Sequence, residues 1–418
     1  MRVLFLSIVL LSSSGLVSAQ SAYQRAIAAY QNGETEKMLE IAQQALSEQP
    51  ASPLFAYLNA VALVLNDRPD DAVDVLNKVA DRGISLGAER EPAFAALAEH
   101  PGFKEVVARF NALNQATGLA EEVAVHRVGD FVPEGLVILA NGDILLGSVR
   151  HQRIDKIWPD GQVTTWAASG SGGLRSAFGM RADESAGKLW VASSGMAEAA
   201  SIAEDAVGQA AILAFNLTNA EPMARFDAPG DQARVLGDLV VAGHLVYTTD
   251  SLTGEVLELN SKSGLWRTVV APGQLVSPQG LVLDAEQHHL FVADYRTGIH
   301  RIDLKTGDRI QLSEPDNVSA HGIDGLYRYG THTLIATRNG YRPNGVLRFV
   351  LSPRLDAIES SQLLVGALDV FDDPTLGQIV GDDFYFIANS HWPQFDADKN
   401  LPPAEQLTPP LIMKLPLD

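Results

Sequence analysis

Six segments in the second part of this 418-residue chain share one plan, and this repetition limits the possible fold more than any other feature. Each segment contains a short strand, a tight turn and a second strand that ends in a small or polar residue. The six are VPEGLVILANGDILLGSV, SAFGMRADESAGKLWVASSG, LGDLVVAGHLVYTTDS, SPQGLVLDAEQHHLFVADY, GIDGLYRYGTHTLIATRNG and LGQIVGDDFYFIANSHW. Each of the first five is followed by a third strand and a turn, and the stretch after that turn supplies the fourth strand of the unit. Such units, at a period of roughly 40 to 60 residues, predict a six-bladed β-propeller.

The sixth unit is incomplete at its end. Its last stretch, LIMKLPLD, supplies a third strand and no fourth. An unassigned strand lies just before the first unit, at about 123–128. Because an unpaired sheet edge invites association with other chains, we expect this strand to pair with the strand around Met413 and close the ring. The predicted propeller therefore covers residues 121–418.

Residues 20–120 have a helical period instead. The stretch NGETEKMLEIAQQALSEQP resembles the second half of a tetratricopeptide repeat. A second copy, NDRPDDAVDVLNKVADRG, places Ala72 and Val79 34 residues after Met38 and Ala45, which is the spacing of that repeat. The sequence thus predicts a small tetratricopeptide-like α-helical domain before the propeller, in a multidomain α and β chain. A plain helical bundle is the alternative, and either could bind a protein partner.

The first 19 residues predict export. Arg2 precedes a short apolar run, and Val17-Ser18-Ala19 is a small-residue pattern that signal peptidase can cut. Serines interrupt the run, and no later segment is long enough to span a bilayer. We therefore expect a periplasmic or secreted protein with no membrane span after cleavage.

Charge and cysteine content exclude several functions. The chain has 51 acidic and 31 basic residues, for a formal net charge of −20. Such a surface repels phosphate backbones, so we expect no nucleic-acid partner. The absence of cysteine excludes disulfides, thiolate metal sites and cysteine nucleophiles. Cations and small-molecule substrates remain.

Propeller geometry brings polar residues from all blades to one mouth of the channel. Residues that open the first strand of a blade or close its second strand meet there. The predicted rim is Glu134, Phe178, Asp238, Gln279, Asp324 and Gln378, surrounded by Ser148, Ser193, Asp250, Asp294, Tyr295, Arg338, Asn339, Asn389, Ser390 and His391. Clustered oxygen donors suit a hard divalent cation such as calcium. A hydrogen-bonded polar plug with water is the alternative.

The blade motifs VPEGLVI, LGDLVVAGHLVYTTDSLTGEVLELN, SPQGLVLDAEQHHLFVADYRTGIHRID and GIDGLYR resemble those of the gluconolactonase and senescence-marker (regucalcin) family and of the related paraoxonases. The resemblance covers about 130–418. It implies a divalent cation at the channel mouth and hydrolysis of lactones, aryl esters or organophosphates. The implied metal ligands are Glu134, Asp238 or its neighbour Gly237, Gln279 and Asp324. Gln279 departs from the shorter side chain usual in the family, and Phe178 fills a polar position.

Catalytic and substrate-binding roles follow from the predicted mouth. Asp324 is the first candidate for activating water, and His321 and His391 are alternative general bases, although either can be an ordinary loop histidine. Arg338 and Asn389 are candidates for orienting substrate oxygens, and Asp250 and Tyr295 are further substrate-binding candidates. The sequence favours an exported, divalent-cation-dependent lactone or ester hydrolase. A non-catalytic scaffold that binds ligands or proteins is the alternative.

Overall fold

The computed structural model describes residues 22–418, so the predicted signal peptide, 1–19, lies outside the described residues. An α-helical region comes first. Three of its helices have proline in the first turn, where the missing N–H has no helical partner to lose. The helices are α1 (Ala22–Gln31), α2 (Thr35–Glu48), α3 (Pro53–Leu65), α4 (Pro69–Asp81) and α5 (Pro101–Leu113).

Consecutive helices pack against each other around one apolar core. The apolar residues of α2 and α4 fall on one face of each helix, and those faces are buried. Tyr341 of the following β region also lies in this core and is buried. Five short helices do not establish a tetratricopeptide unit, so that resemblance stays a prediction.

The rest of the chain is a six-bladed β-propeller, and each blade is a four-stranded antiparallel sheet. Blades one to three contain β2 (Pro133–Ile138), β3 (Ile144–Ser148), β4 (Ile154–Ile157) and β5 (Val163–Ala167); β6 (Ser176–Asp183), β7 (Lys188–Ser194), β8 (Ala210–Asn216) and β9 (Pro222–Asp227); and β10 (Leu236–Ala242), β11 (Leu245–Asp250), β12 (Glu255–Asn260) and β13 (Leu265–Val270). Blades four and five contain β14 (Pro278–Leu283), β15 (His289–Asp294), β16 (Gly298–Asp303) and β17 (Arg309–Gln311); and β18 (Ile323–Arg328), β19 (Thr333–Arg338), β20 (Gly345–Leu351) and β21 (Ile358–Gly366).

The sixth blade joins the two ends of the β region. It contains β22 (Gly377–Val380), β23 (Asp383–Ile387) and β24 (Leu411–Pro416), with β1 (Glu121–Val125) as its outer strand. In the pairing of β1 with β24, Glu122 faces Met413 and Ala124 faces Ile412. The ring is therefore closed by hydrogen bonds between distant parts of the sequence.

Burial explains the residue patterns within the blades. Every residue of β2 and β3, next to the channel, is buried, and these strands are mostly apolar. The outer strand β9 alternates between exposed and partly buried residues, and its sequence alternates accordingly. Neighbouring blades share apolar clusters, so the core is a ring of side chains between the sheets.

The helical region contacts the propeller near the channel mouth. The Ser85 backbone N–H donates to the carbonyl of Arg342 over 2.8 Å, and Thr117 pairs with Gly366 of blade five. The Arg338 guanidinium donates to the carbonyl of Gly83. Residues 83–90 are thereby fixed beside the mouth. No helix within 22–418 is long and apolar enough to cross a bilayer.

Candidate active site

A cavity of about 660 Å³ occupies the channel mouth. It is lined by residues from all six blades and by the segment that follows α4. Five predicted site residues line it, namely Glu134, Asp238, Gln279, Tyr295 and Asp324. The structure therefore brings together the predicted metal ligands and one of the predicted substrate-binding residues.

A repeated β-bulge places the side chains of the mouth. In blades one to five the first strand carries two residues opposite one residue of the second strand. The first residue of each bulge lines the cavity: Glu134, Phe178, Gly237, Gln279 and Asp324. The second residue is glycine in four blades, because a side chain there would collide with the next inner strand or, at Gly325, with Tyr327 and Thr337 of the same blade. A Cβ on Gly280, for example, would lie 2.5 Å from the carbonyl oxygen of Asp324.

Blade three has the reverse order, with glycine first and Asp238 second. Asp238 therefore lies one position deeper than the other predicted ligands. It is buried, and its Oδ2 accepts a hydrogen bond from the Arg181 guanidinium over 3.1 Å. This ion pair compensates the Asp238 charge only in part, because burial still raises the pKa of Asp238. Gly237 occupies the position equivalent to Glu134.

Asp324 is held by a chain of hydrogen bonds. The Tyr295 hydroxyl donates to Oδ1 of Asn339 over 2.9 Å, and Nδ2 of Asn339 donates to Oδ2 of Asp324 over 2.9 Å. Among the described residues, no donor bonds to the other carboxylate oxygen, Oδ1. This chain fixes the carboxylate and leaves one oxygen for a ligand.

The carboxylates of the mouth are poorly compensated. Burial raises the pKa of Asp324 to about 7, and the Asp238 charge acts in the same direction. Burial, followed by repulsion from Asp324, also raises the pKa of Glu134 well above its usual value. The Trp392 indole N–H donates to Glu134 and opposes this shift. A bound proton or cation would therefore be stabilised here.

Sequence reasoning missed Asp373. It lines the same cavity, and burial together with the Asp324 charge raises its pKa well above the usual value. The Ser390 hydroxyl donates to its Oδ2 over 3.2 Å. The sequence contained an indication of this role. Asp372 and Asp373 lie in the loop that enters the first strand of blade six, and such loops reach the mouth.

Both predicted catalytic histidines lie elsewhere. His321 is buried outside the cavity lining, and burial lowers its pKa to about 3, so it is a poor base. His391 is also buried. Its two ring nitrogens lie 3.2 Å from Oδ2 of Asp372 and 2.7 Å from the carbonyl of Thr408. The structure thus corrects both assignments: His391 is a structural residue of its loop, and His321 lies buried beside Ser319 and Glu314.

Three predicted substrate-binding residues also have structural roles. Arg338 is buried, and its guanidinium donates to the carbonyls of Gly83 and Pro343. Asn389 is bonded to the backbone of residues 408–411. Asp250 accepts from the Arg234 guanidinium over 2.8 Å and caps the loop after its strand. None of the three lines the cavity.

The predicted rim residue Gln378 is displaced as well. Blade six has no bulge in its first strand, and Gln378 bonds to the backbone N–H and carbonyl of Ile138. It lines a second cavity, of about 310 Å³, together with Arg181. The rim prediction therefore fails in the blade whose first strand departs from the common register.

Within residues 22–418, no group of three or more His, Asp and Glu side chains is spaced to hold a metal ion. The predicted ligand set also contains a carboxamide, Gln279. Nε2 of Gln279 donates to the Ser277 hydroxyl over 3.0 Å, so its carbonyl oxygen is the atom left for a ligand.

No protein-family model and no curated protein matches the sequence. Solved structures with a similar fold include a gluconolactonase from Xanthomonas campestris, at 15% identity and a TM-score of 0.48 over 73% of this chain and 93% of the other. A calcium-binding regucalcin from Agrobacterium tumefaciens has 13% identity and a TM-score of 0.48 over 71% and 93%. A luciferin-regenerating enzyme has 12% identity and a TM-score of 0.49 over 72% and 95%. Similarities this distant do not assign a function.

Proposed function

We propose that this chain is an exported hydrolase of a small lactone or ester, with its active site in the cavity at the channel mouth. The observation that carries the proposal is the group of four carboxylates, Glu134, Asp238, Asp324 and Asp373, around one cavity with a single paired guanidinium among them. Perturbed carboxyl groups in a concave site are typical of catalysis. A purely structural plug would pair its charges.

A divalent cation, calcium in the first instance, fits the donor chemistry of this cavity. Glu134, Gln279 and Asp324 would hold it, because they are hard oxygen donors on equivalent bulge positions. An amide oxygen of Gln279 and one carboxylate oxygen of Asp324 have no protein donor among the described residues. When bound, a cation of this kind polarises an ester carbonyl and stabilises the oxyanion.

The protein's own groups account for the proton transfers. The Asp324 carboxylate accepts a proton from water, through the oxygen that does not hold the cation, as the water oxygen bonds to the carbonyl carbon. The carbon–oxygen bond to the leaving alcohol then breaks, and the alkoxide takes that proton back. Asn339 and Tyr295 keep the carboxylate oriented through the hydrogen-bond chain. The net reaction adds one water across the ester bond.

The apolar wall of the cavity limits access of bulk water. Met196 comes from the insertion between β7 and β8, and Trp392 from the insertion between β23 and β24. Both pack in one apolar cluster with Phe395. Lys399 and Glu198 join the two insertions through an ion pair of 2.8 Å. We propose that this wall selects the neutral part of the substrate.

A panel of lactones and aryl esters, assayed with calcium and then with a chelator, tests the function. We expect chelator-sensitive hydrolysis in the parent protein. Glu134→Gln should weaken calcium binding and lower kcat/KM by on the order of 10²-fold. Asp324→Asn should lower turnover by roughly 10²–10⁴-fold, because it removes the base. Calcium affinity is measured separately by calorimetry.

Matched controls separate these effects from general charge effects. Asp231→Asn and Glu359→Gln change exposed carboxylates outside the cavity, so they should leave turnover unchanged. No activity across the panel, or activity indifferent to both cavity substitutions, would reject the hydrolase and favour a binding scaffold. Activity that survives the chelator but falls in Asp324→Asn would reject only the cation.

A further inference from the structure

The cavity has three chemically different sides. Its floor is acidic, and one wall is apolar, with Phe178, Met196 and Trp392. The opposite side carries three arginines: Arg90, Arg296 and Arg342. These are the only basic side chains among the described residues that line the cavity. A ligand that fills the space therefore meets positive charge at one end only.

The three arginines lie at the junction between the helical region and blades four and five. Arg342 is fixed beside the helical region by the backbone hydrogen bond to Ser85. Arg90 belongs to a short 3-10 helix that follows Ser85 in the same segment. Arg296 is adjacent in sequence to Tyr295, whose ring packs against Gly340. The arginine side is thus built from two parts of the chain.

The three arginines make few ion pairs with other described residues. Arg296 and Arg342 make no ion pair with any carboxylate in the described part of the chain. Within residues 22–418, the only ion pair of Arg90 is with its neighbour Glu89, at 3.8 Å, and both side chains are exposed. Two other arginines near the mouth are paired, Arg181 with Asp238 and Arg234 with Asp250. Unpaired arginines facing a cavity are typical of ligand recognition.

The three arginines are also unusual given the negative net charge of the chain. The chain has a formal net charge of −20, so long-range electrostatics repel an anionic ligand from most of its surface. Resting on the proposed function, we infer that the substrate carries one carboxylate, remote from the ester or lactone group, and that Arg90, Arg296 and Arg342 bind it. The planar guanidinium fork matches a carboxylate. The ester group then lies toward the acidic floor.

The helical region consequently acts as part of the substrate site. Arg90 reaches the cavity only because residues 83–90 are fixed beside the mouth. A propeller without this region would lose one of the three charges. Substrate charge selectivity in this chain is therefore shared between its two parts.

Equilibrium binding of matched probes tests the inference without any turnover. The probes are cyclopentanecarboxylate and its neutral counterpart cyclopentanecarboxamide, measured by calorimetry. We expect the intact protein to bind the carboxylate about tenfold more tightly than the amide, and added salt to reduce this preference. Arg296→Gln and Arg90→Glu should each reduce the preference, and the double variant should abolish it.

Arg354→Glu is the control, because this arginine is exposed on the outside of blade five. It should keep the full preference. Equal binding of the two probes, no measurable binding of either, or a preference that survives the double variant would overturn the inference. Thermal unfolding of each variant shows whether the fold is retained, and Arg296→Gln alone, which adds no charge, suffices if the charge reversal disturbs it.

A second pair of probes separates this inference from the proposed function. It consists of a γ-lactone with a ring carboxylate and the same lactone as its methylamide. Hydrolysis of both with equal KM, together with no binding preference, would leave the hydrolase standing and reject the arginine site. A binding preference without hydrolysis of either lactone would reject the hydrolase and support the arginine site.

Discussion

At the scale of single residues, buried carboxylates at the channel mouth repel each other. Asp324 has a pKa of about 7 in the folded chain against an ordinary value of 3.8, and burial is the largest cause. Between those two values the folded chain keeps a proton that the unfolded chain releases. The free energy of unfolding therefore falls as the pH rises from about 4 to about 7. Above pH 7 the folded chain has also lost this proton, and the stability that the protonated Asp324 contributed is lost with it.

Asp324→Asn removes this dependence. In the presence of chelator at pH 8, we expect the variant to be more stable than the parent by about 1–3 kcal/mol, because the parent must hold a buried charge. At pH 4 the difference should nearly vanish. Urea unfolding at both pH values measures it, with Asp231→Asn as the control that shows no gain. A variant less stable than the parent at pH 8 would contradict this account.

Asn339 is a positioning residue for Asp324. Its amide N–H favours the ionised carboxyl, so Asn339→Ala should raise the pKa of Asp324 further. We expect the acid limb of the pH–kcat/KM profile to move to higher pH and the plateau to fall by roughly tenfold, the value of one hydrogen bond to a charged group. Tyr295→Phe should give a smaller shift in the same direction. An unmoved limb with lowered kcat would indicate a merely structural role.

At the scale of strands, the sequence predicted the six blades but not which residues of each bulge face the channel. Alternating apolar residues and turn pairs were sufficient to place six blades, because each blade repeats the same local pattern. The pattern does not say which of two adjacent residues in a bulge faces the channel. Asp238 was consequently assigned to the position that Gly237 holds. In blade six, which lacks the bulge, Gln378 was assigned to the mouth, whereas it lines the second cavity.

Gly179→Ala tests the bulge geometry. A Cβ on Gly179 would lie 2.5 Å from Oδ1 and 2.6 Å from Cα of Asp238, so the inner strands of blades two and three must separate. We expect a loss of about 1–3 kcal/mol of stability. Gly237→Ala is the matched control, since its nearest neighbour would lie 3.4 Å away in ordinary contact. Equal losses in the two variants would show that the bulge positions are not distinct.

At the scale of the whole molecule, the two parts of the chain complete each other. The helical region and the propeller were each predictable from periodicity, but their contact was not. Tyr341 gives no sign in the sequence that it fills the helical core, and Arg338 had been assigned to substrate. Docking depends on surfaces that form only after each part has folded, so the arginine side of the cavity could not be found from local pattern.

The contact predicts that the two parts unfold together. All five tryptophans lie in the propeller, so their fluorescence follows that part alone, whereas circular dichroism at 222 nm follows the helices. In the parent protein we expect the two signals to change at the same urea concentration.

Arg338→Met keeps the bulk of the side chain but loses the hydrogen bond to the Gly83 carbonyl, and it leaves that carbonyl unpaired. The helical signal should then be lost at lower urea than the fluorescence. Arg354→Met, an exposed control, should keep both transitions superimposed. If Arg338→Met shifts the two signals equally, the bond stabilises the propeller alone, and the joint unfolding must rest on Tyr341 and the apolar core around it.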